Sequence, residues 1–263
     1  MARIIDAHAH IFPSKIAEKA VDSIGHFYDI PMQNAGISDE LIKSGNTIGV
    51  EKYLVCSVAT KPEQVLAIND FIFDECQKHK EFIGFATLHP NMQNLEQEVE
   101  RIISRGFYGI KLHPDFQEFN IDDEKAMEIY RLIEGKMFVL IHTGDERYNF
   151  SRPKRLAKVC EKFPNLKCIA AHFGGFRQWQ EAYDVYNSQN IYMDTSSSLF
   201  EMDTDMSYKM LEKFGYDHFF FGTDFPMWSH VEELKRLKAL NLPQNQLDAI
   251  LYDNFNNAII KKK

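Results

Sequence analysis

His8 and His10 lie near the start of the sequence, in the segment RIIDAHAHIF, and a single alanine separates them. The apolar residues before them favour a β-strand, and side chains on a strand alternate between its two faces. Alternation predicts that Asp6, His8 and His10 share a polar face, while residues 5, 7 and 9 form an apolar face that packs on helices. Two imidazoles on one face can bind a divalent cation, so this segment is a candidate part of a metal site.

Further polar residues follow other short apolar runs, at the point where each run ends. His89, His113, His142 and His172 end four of these runs, and Asp224 ends another. A single histidine at a strand end is most often a structural residue with a hydrogen bond. A group of imidazoles with a carboxylate is costly to desolvate unless something binds it. Zinc and similar cations take nitrogen and carboxylate ligands and leave a position for water, which three histidines and one aspartate would satisfy.

Eight short runs rich in β-branched and aromatic residues recur along the chain, and segments with helical periodicity separate most of them. The eight runs are ARIIDAHAH, KYLVCSVAT, FIGFATLHP, FYGIKLHP, MFVLIHTGD, LKCIAAHFGG, IYMDTSSS and HFFFGTDFP. This alternation predicts an α/β protein with right-handed βαβ units, and eight strands predict a closed (β/α)8 TIM barrel. An open doubly wound sheet is the alternative, but no GxGxxG motif follows the first strand. In a TIM barrel, the chemistry lies at the C-terminal ends of the strands.

The segment from about residue 12 to residue 49 is too long for an ordinary barrel connection. It contains SKIAEKAVDSIGHFYDI, which has helical spacing, and we expect a helical lid over the barrel mouth after the first strand. No linker, repeat or low-complexity segment divides the chain. We therefore interpret residues 1–263 as a single TIM-barrel domain with this lid insertion.

Composition favours small-molecule chemistry over binding to large charged partners. The chain has 263 residues, 44% of them hydrophobic, and a formal net charge of −8. That charge argues against general affinity for nucleic acid or for anionic membranes. The four cysteines have no CxxC spacing, and the chain shows neither a signal-peptide core nor an apolar stretch of spanning length. We therefore expect a cytoplasmic protein with reduced thiols.

Several motifs together resemble the amidohydrolase superfamily. They are DAHAHIF, FVLIHTG, CIAAHFGG, YMDTSS and FFFGTDFP, in this order and spacing. More narrowly, the chain resembles the branch that contains metal-dependent hydrolases together with aminocarboxymuconate semialdehyde decarboxylase and related ring-acid decarboxylases. GFYGIKLHP and the closing LYDNFNNAII extend the resemblance along the whole chain.

The resemblance implies one divalent metal ion, with zinc expected first and manganese, iron or nickel as alternatives. It makes His8, His10, His142 and Asp224 the metal ligands. Asp224 would also act as the catalytic base, and His172 would polarise the substrate or handle protons, although a second metal at His172 stays open. The resemblance also implies a homodimer, because paired barrels are common among relatives, but it implies this less strongly than it implies the metal.

Five further residues are candidates for substrate binding. Lys111 would bind a substrate carboxylate, with a structural ion pair and the carboxylated lysine of some two-metal relatives as alternatives. Arg147 and Arg177 follow the fifth and sixth strands and would bind an acidic substrate in bidentate fashion, unless they are ordinary surface residues. The other two are His113 and Trp228, beside the mouth.

Two carboxylates are candidates for orienting the ligand histidines. Asp6 would support a ligand histidine from below or brace the barrel floor. Asp194 would orient His172 or make a structural hydrogen bond.

Three functions remain open at this stage. A metal-activated water would hydrolyse an amide, lactone or ester of a small, acidic substrate, because bound metals lower the pKa of water to about 7. Alternatively, the same site would decarboxylate a small aromatic or dienoic acid. The third possibility is a metal-free binding barrel without catalysis.

Overall fold

Eight parallel strands form one sheet in which each strand pairs with the next along the chain. The computed structural model describes residues 3–32, 34–187 and 190–262. The strands are β1 (Ile4–His10), β2 (Val50–Cys56), β3 (Phe82–Thr87), β4 (Gly109–Leu112), β5 (Phe138–Ile141), β6 (Lys167–Ala170), β7 (Ile191–Asp194) and β8 (Phe219–Phe220).

The segment after β8 closes the sheet onto β1. The backbone N–H of Asp224 donates to the carbonyl of His8 at 2.8 Å, and the N–H of Ala7 donates to that of Phe221 at 2.8 Å. Ala9 forms a parallel bridge with Phe225. The predicted (β/α)8 TIM barrel is therefore confirmed.

Helices follow the strands around the outside of the barrel. They are α1 (Ser14–Tyr28), α2 (Ser38–Asn46), α3 (Val65–Lys78), α4 (Leu95–Ser104), α5 (Pro114–Gln117), α6 (Glu124–Ile133), α7 (Pro153–Lys162), α8 (Trp179–Val185), α9 (Thr204–Phe214), α10 (His230–Ala239) and α11 (Gln244–Asp248). Two π-helical segments, Ala249–Asp253 and Asn256–Ile260, continue from α11. In the described part of the chain, no helix combines the length and the apolar character needed to cross a membrane.

The barrel interior is filled by apolar side chains from the strands. Leu54, Phe85, Leu140 and Phe220 belong to this inner cluster, and Phe255 of the C-terminal segment packs against it. The Phe220 and Phe255 rings meet edge to face at 5.3 Å. Because apolar side chains fill the interior, a polar site can form only at the mouth of the barrel, at the C-terminal ends of the strands.

The predicted apolar face of β1 is wrong for two of its three residues. Ile5 and Ala7 pack inside the barrel, whereas Ala9 belongs to the outer cluster between the strands and the helices. The pairing of β1 with β2 shifts register between Asp6 and Ala9, so strict alternation does not hold there. This irregularity lets His8 and His10 point to the same place although Ala7 and Ala9 do not.

The insertion between β1 and β2 supplies α1 and α2, which have different positions. The C-terminal end of α1 reaches the barrel mouth, where the Tyr28 hydroxyl lies 2.9 Å from His113 Nε2. The second helix packs beside α10, with Ser44 Oγ 2.8 Å from His230 Nδ1. Of the predicted lid, α1 is thus the helix placed to cover the site.

Candidate metal centre

Three side chains, from β1 and from the segment that follows β8, converge at the mouth. His8 Nε2 lies 3.2 Å from His10 Nε2, and Asp224 Oδ1 lies 3.5 Å from His8 Nε2 and 3.4 Å from His10 Nε2. Imidazole nitrogen and carboxylate oxygen are ligands that zinc, manganese and iron accept. With metal–ligand distances of about 2.1 Å, neighbouring ligands lie about 3.0 Å apart in an octahedral site and about 3.4 Å apart in a tetrahedral one. The three atoms therefore fit one divalent cation.

His8 is oriented by a buried carboxylate on the neighbouring side of the barrel. Its Nδ1 lies 3.0 Å from Asp194 Oδ2 and 3.1 Å from Ser196 Oγ. Burial alone would raise the pKa of Asp194, but the charge of His8 and its hydrogen bond lower that pKa to about 2. An ionised Asp194 holds the His8 proton on Nδ1 and leaves the Nε2 lone pair for the centre. Asp194 thus orients His8, and it also accepts the backbone N–H of His172 at 3.2 Å.

Asp224 is fixed by a chain of hydrogen bonds on its other oxygen. Ser197 Oγ donates to Asp224 Oδ2 at 2.7 Å, and Trp228 Nε1 donates to Ser197 Oγ at 3.0 Å. Trp228 is half-buried, and its indole N–H bonds to Ser197 and thus helps to hold Asp224, rather than pointing freely at a substrate. Ser197 and Asp224 both have positive φ, of 46° and 55°, as His172 does at 62°. Such strained backbone in non-glycine residues is concentrated at functional sites.

His142 and His172 form a second pair beside the first. His142 Nδ1 lies 3.0 Å from His172 Nε2, and the His8 and His172 rings stack at 5.3 Å. The two ring nitrogens of His142 thus face His172 and Asp115, whose Oδ2 lies 3.6 Å from His142 Nε2. Burial lowers the pKa of His172 to about 4, and it lowers the pKa of His142 as well. Both rings are therefore neutral near pH 7, as metal ligands or proton acceptors must be.

Lys111 lies directly beside the three converging atoms. Its Nζ is 3.0 Å from His8 Nε2, and the side chain is only 1% exposed. Burial lowers the pKa of this amine, while Cys56, Asp224 and Asp194 act in the opposite direction. A nearby cationic centre would add to the cost of the ammonium form and would lower the pKa of the amine further.

The other predicted substrate-binding residues have partners within the protein. His113 lies between Phe116 and His142, whose rings stack on it at 3.8 Å and 4.0 Å. Its Nε2 meets the Tyr28 hydroxyl, and its Nδ1 accepts the N–H of Phe116 at 3.3 Å. A substrate would have to replace Tyr28 to contact this imidazole.

Arg147 and Arg177 are both exposed and both paired with carboxylates. Arg147 is bidentate to Asp145, and its Nη1 donates to the carbonyl of Phe27 in α1 at 2.5 Å. Arg177 pairs with Glu201 at 2.9 Å. Lys111 thus lies beside the three converging atoms, whereas the guanidinium groups of Arg147 and Arg177 are paired with carboxylates elsewhere.

Asp6, the carboxylate of the first strand, accepts hydrogen bonds from the backbone. Its Oδ1 accepts the N–H groups of His8 and Thr223, and its Oδ2 accepts the Thr223 hydroxyl. His230 Nε2 of α10 lies 3.1 Å from the same carboxylate. Asp6 thus joins β1 to the segment after β8, on which Asp224 lies.

Three residues near the site were not singled out from the sequence as contributors to it. Cys56 Sγ lies 3.8 Å from His10 Nδ1, Tyr28 reaches His113, and Asp115 reaches His142. Burial disfavours a charged His10, but Cys56 and Asp224 outweigh burial and raise its pKa to about 9. The position of Cys56 at the end of β2 was the one available signal, because strand ends meet at the mouth.

Comparisons with solved structures agree with the barrel. The chain is similar to an uncharacterized TIM-barrel protein of Bordetella bronchiseptica, with 15% identity, a TM-score of 0.79 and coverage of 97% of both chains. It is also similar to a dihydroxybenzoic acid decarboxylase of a Polaromonas species, solved with manganese and the inhibitor 2-nitroresorcinol. That match has 17% identity, a TM-score of 0.75 and coverage of 98% of this chain and 96% of the other.

A third solved structure is a probable 2-pyrone-4,6-dicarboxylic acid hydrolase of Acinetobacter baumannii with bound citric acid. It shares 14% identity and a TM-score of 0.71, with coverage of 97% of this chain and 98% of the other. No protein with curated annotation matches the sequence significantly. The model of the amidohydrolase family matches residues 5–254, which is nearly the whole sequence. This chain therefore belongs to the amidohydrolase family.

Proposed function

We propose that this protein is a metal-dependent enzyme that acts on a small carboxylic acid at the barrel mouth. The observation that carries the proposal is the convergence of His8 Nε2, His10 Nε2 and Asp224 Oδ1 within 3.2 to 3.5 Å of one another. His142 is the proposed fourth ligand, through Nδ1. Zinc remains the first expectation, and the manganese in the Polaromonas decarboxylase supports manganese as the next metal to test.

A divalent cation bound there would supply Lewis acidity and an activated water. The chain's own residues would handle the protons and the substrate charge. His172 Nδ1 lies 3.2 Å from the carbonyl oxygen of Ser196, which can only accept, so the proton of the neutral ring is on Nδ1. His172 Nε2 is then a proton acceptor that faces the centre. Lys111, as the buried amine beside His8, is the proposed anchor for a substrate carboxylate.

Hydrolysis of an amide, lactone or ester is the first proposed reaction. Asp224 would accept a proton from the nucleophilic water and return it to the leaving group, with Ser197 holding its second oxygen at 2.7 Å. The similarity to a probable pyrone dicarboxylic acid hydrolase supports this reaction type and an acidic substrate.

Non-oxidative decarboxylation is the second candidate, and it has at least equal support. Several of the similar structures are decarboxylases of hydroxylated aromatic acids. Aromatic side chains of α1 and the neighbouring loops also surround the mouth: Phe27 and Phe116 meet at 4.6 Å, and Tyr28 and Phe176 at 5.8 Å. Such a wall suits a flat ring, and Asp224 or His172 would then protonate the ring carbon that loses carbon dioxide.

The two reactions can be separated with protein loaded with zinc or with manganese. We would measure carbon dioxide release from a panel of hydroxybenzoates and hydrolysis of a panel of lactones and esters. Turnover on one panel assigns the reaction type. Failure of the protein to bind either metal would contradict the proposal and favour the metal-free binding barrel.

Three variants test the assigned roles. His8→Ala and Asp224→Ala should abolish activity and weaken metal binding, whereas His172→Ala should impair turnover but retain the metal. His218→Ala is the matched control, because His218 lies directly before β8 and thus at the opposite end of the barrel. A metal-free His172→Ala protein would show that His172 is a ligand and that its proposed role is wrong.

A further inference from the structure

A short segment after β4, His113–Gln117, forms a rigid support behind His142. Gln117 holds this segment in place, because its amide group donates to the carbonyls of Ala59 at 2.9 Å and Leu88 at 2.8 Å. Its side-chain oxygen also accepts the backbone N–H of His113 at 2.8 Å. All these contacts are buried, so the segment has little freedom to move relative to the barrel.

The support fixes the plane of the His142 ring. Phe116, His113 and His142 stack in that order, with interplanar angles of 5° and 7°. The lone pair of an imidazole nitrogen lies in the ring plane, so two parallel stacked rings cannot direct lone pairs at one ion. Although His113, Asp115 and His142 lie close together, they are therefore unsuited to form a three-ligand metal site of their own.

Asp115 and His142 face each other with unused polar atoms. His142 Nε2 lies 3.6 Å from Asp115 Oδ2, and the two residues are 2% and 5% exposed. Within the described part of the chain, neither oxygen of Asp115 nor the Nε2 of His142 completes a hydrogen bond of good geometry, although Ser151 lies beside Asp115 and stabilises its ionised form. Buried polar atoms of this kind are costly unless they satisfy one another, and a carboxylate beside an imidazole does so by accepting its N–H.

The opposite edge of His142 sets which nitrogen can carry the proton. His172 Nε2 lies 3.0 Å from His142 Nδ1. Because the proton of His172 is on Nδ1, its Nε2 carries a lone pair. If the His142 proton is on Nε2, then two lone pairs, from His142 Nδ1 and His172 Nε2, face each other. That arrangement repels in the absence of a cation and becomes favourable in its presence.

We infer that Asp115 is a positioning residue that holds the proton of His142 on Nε2 and so presents Nδ1 to the bound cation. The inference rests on the proposed function, because it takes His142 as a metal ligand. It gives the KLHPDFQ segment a role that its sequence alone does not reveal: the stacked rings fix the plane of the ligand histidine, and the carboxylate fixes its tautomer.

The test compares zinc binding and the His142 tautomer in three variants. Zinc affinity is measured by competition with a chromophoric chelator, and the protonated ring nitrogen is identified by NMR of protein with 15N-labelled histidine. Asp115→Asn should weaken zinc binding by about 10- to 100-fold and reduce the population of the Nε2–H tautomer of His142 in the metal-free protein. Asp115→Glu keeps the charge and should retain more affinity than Asp115→Asn.

Glu98→Gln is the matched control, because Glu98 is also a buried carboxylate but lies on α4, where it pairs with Arg101. Its zinc affinity and His142 tautomer should match those of the wild type. Equal zinc affinity and an unchanged tautomer in Asp115→Asn would overturn the assignment of Asp115 while leaving the proposed function intact. A second zinc equivalent that is bound by the wild type and lost in Asp115→Asn would instead make Asp115 a ligand. A wild-type protein that binds no zinc or manganese would overturn the proposed function, and the role of Asp115 with it.

Discussion

Two of the three converging side chains use one polar atom for the protein and leave the other for the centre. His8 gives Nδ1 to Asp194, and Asp224 gives Oδ2 to Ser197. The remaining atoms, His8 Nε2 and Asp224 Oδ1, then face each other as two hydrogen-bond acceptors. Neither atom carries a proton that it could donate to the other. Hydrogen bonds outside the centre thus determine which atoms face a cation, and removing them should loosen the centre without removing a ligand.

Asp194→Asn tests this idea. The substitution preserves size but removes the charge that keeps the His8 proton on Nδ1. We expect zinc affinity to fall by about 10- to 100-fold while zinc stoichiometry at saturation stays the same. Chelator competition measures the affinity, and elemental analysis of the saturated protein measures the stoichiometry.

Asp217→Asn is the control for that experiment, because Asp217 is an exposed carboxylate beside a histidine, His218, far from the mouth. It should bind zinc as the wild type does. Wild-type affinity in Asp194→Asn would show that the tautomer of His8 is fixed by something other than this carboxylate.

The candidate ligands could be predicted from sequence because each follows an apolar run, and the ends of parallel strands meet at one side of a barrel. Their partners were less predictable. Asp194 was expected to orient His172 or to make a structural hydrogen bond. Its side chain orients His8 instead of the His172 ring, and it makes structural hydrogen bonds to the backbone N–H groups of His172 and Ser196. The left-handed backbone at His172 turns its ring into the mouth although Ala170 packs outward. Periodicity cannot describe such a turn.

At the scale of elements, α1 is joined to the barrel mouth by aromatic packing and by one guanidinium. Arg147, from the loop after β5, bonds to the carbonyl of Phe27 and lies over the Phe27 and Tyr28 rings at 4.7 and 5.5 Å. The pairing with Asp145 holds the guanidinium in this place. The sequence indicated a helix over the mouth but gave no sign of what holds it, because the contact is between segments about 120 residues apart.

Arg147→Ala should therefore loosen α1 rather than unfold the barrel. The variant loses the bond to Phe27 and two cation–π contacts, which are worth about 0.5–1 kcal/mol each at exposed sites. We expect amide hydrogen exchange to increase across Ser14–Tyr28, with little change in the strands. Mass spectrometry of proteolytic fragments resolves the two regions.

Arg177→Ala provides the comparison, since Arg177 has a similar exposed ion pair, with Glu201, and its partners Glu146, Glu201 and Phe176 all lie outside α1. Exchange in α1 should be unaffected by it. Equal protection of α1 in Arg147→Ala and wild type would mean that aromatic packing alone holds the helix, and a rise in KM without faster exchange would support direct substrate binding by Arg147.

At the scale of the whole molecule, the barrel encloses a group of imidazoles that water does not reach. The pKa values of four of them are lowered, in each case first by burial: His8, His113, His142 and His172. Two buried carboxyls oppose this effect, because burial raises the pKa of Asp115 to about 7 and that of Glu233 to about 8. The sequence showed the histidines but not their burial, which depends on α1 covering the mouth.

These shifts predict how stability depends on pH in the metal-free protein. Below about pH 6.5, the unfolded chain binds a proton at each of the four imidazoles that the folded protein leaves neutral. The folded protein holds two protons, on the two carboxyls, that the unfolded chain releases above about pH 4. The unfolded chain thus binds more protons than the folded protein at these groups, so the free energy of unfolding should fall as the pH is lowered from about 6.5 toward 4.5.

Urea unfolding in the presence of a chelator, at intervals between pH 7 and pH 4.5, measures this slope. His113→Phe keeps the stacked arrangement but removes one of the four imidazoles, so its slope should be smaller by about 1.4 kcal/mol per pH unit. His26→Phe, which replaces an exposed histidine of α1, should keep the wild-type slope. A stability that is flat or that rises toward pH 4.5 would show that water reaches these imidazoles in the folded protein, and hence that α1 does not cover the mouth in solution.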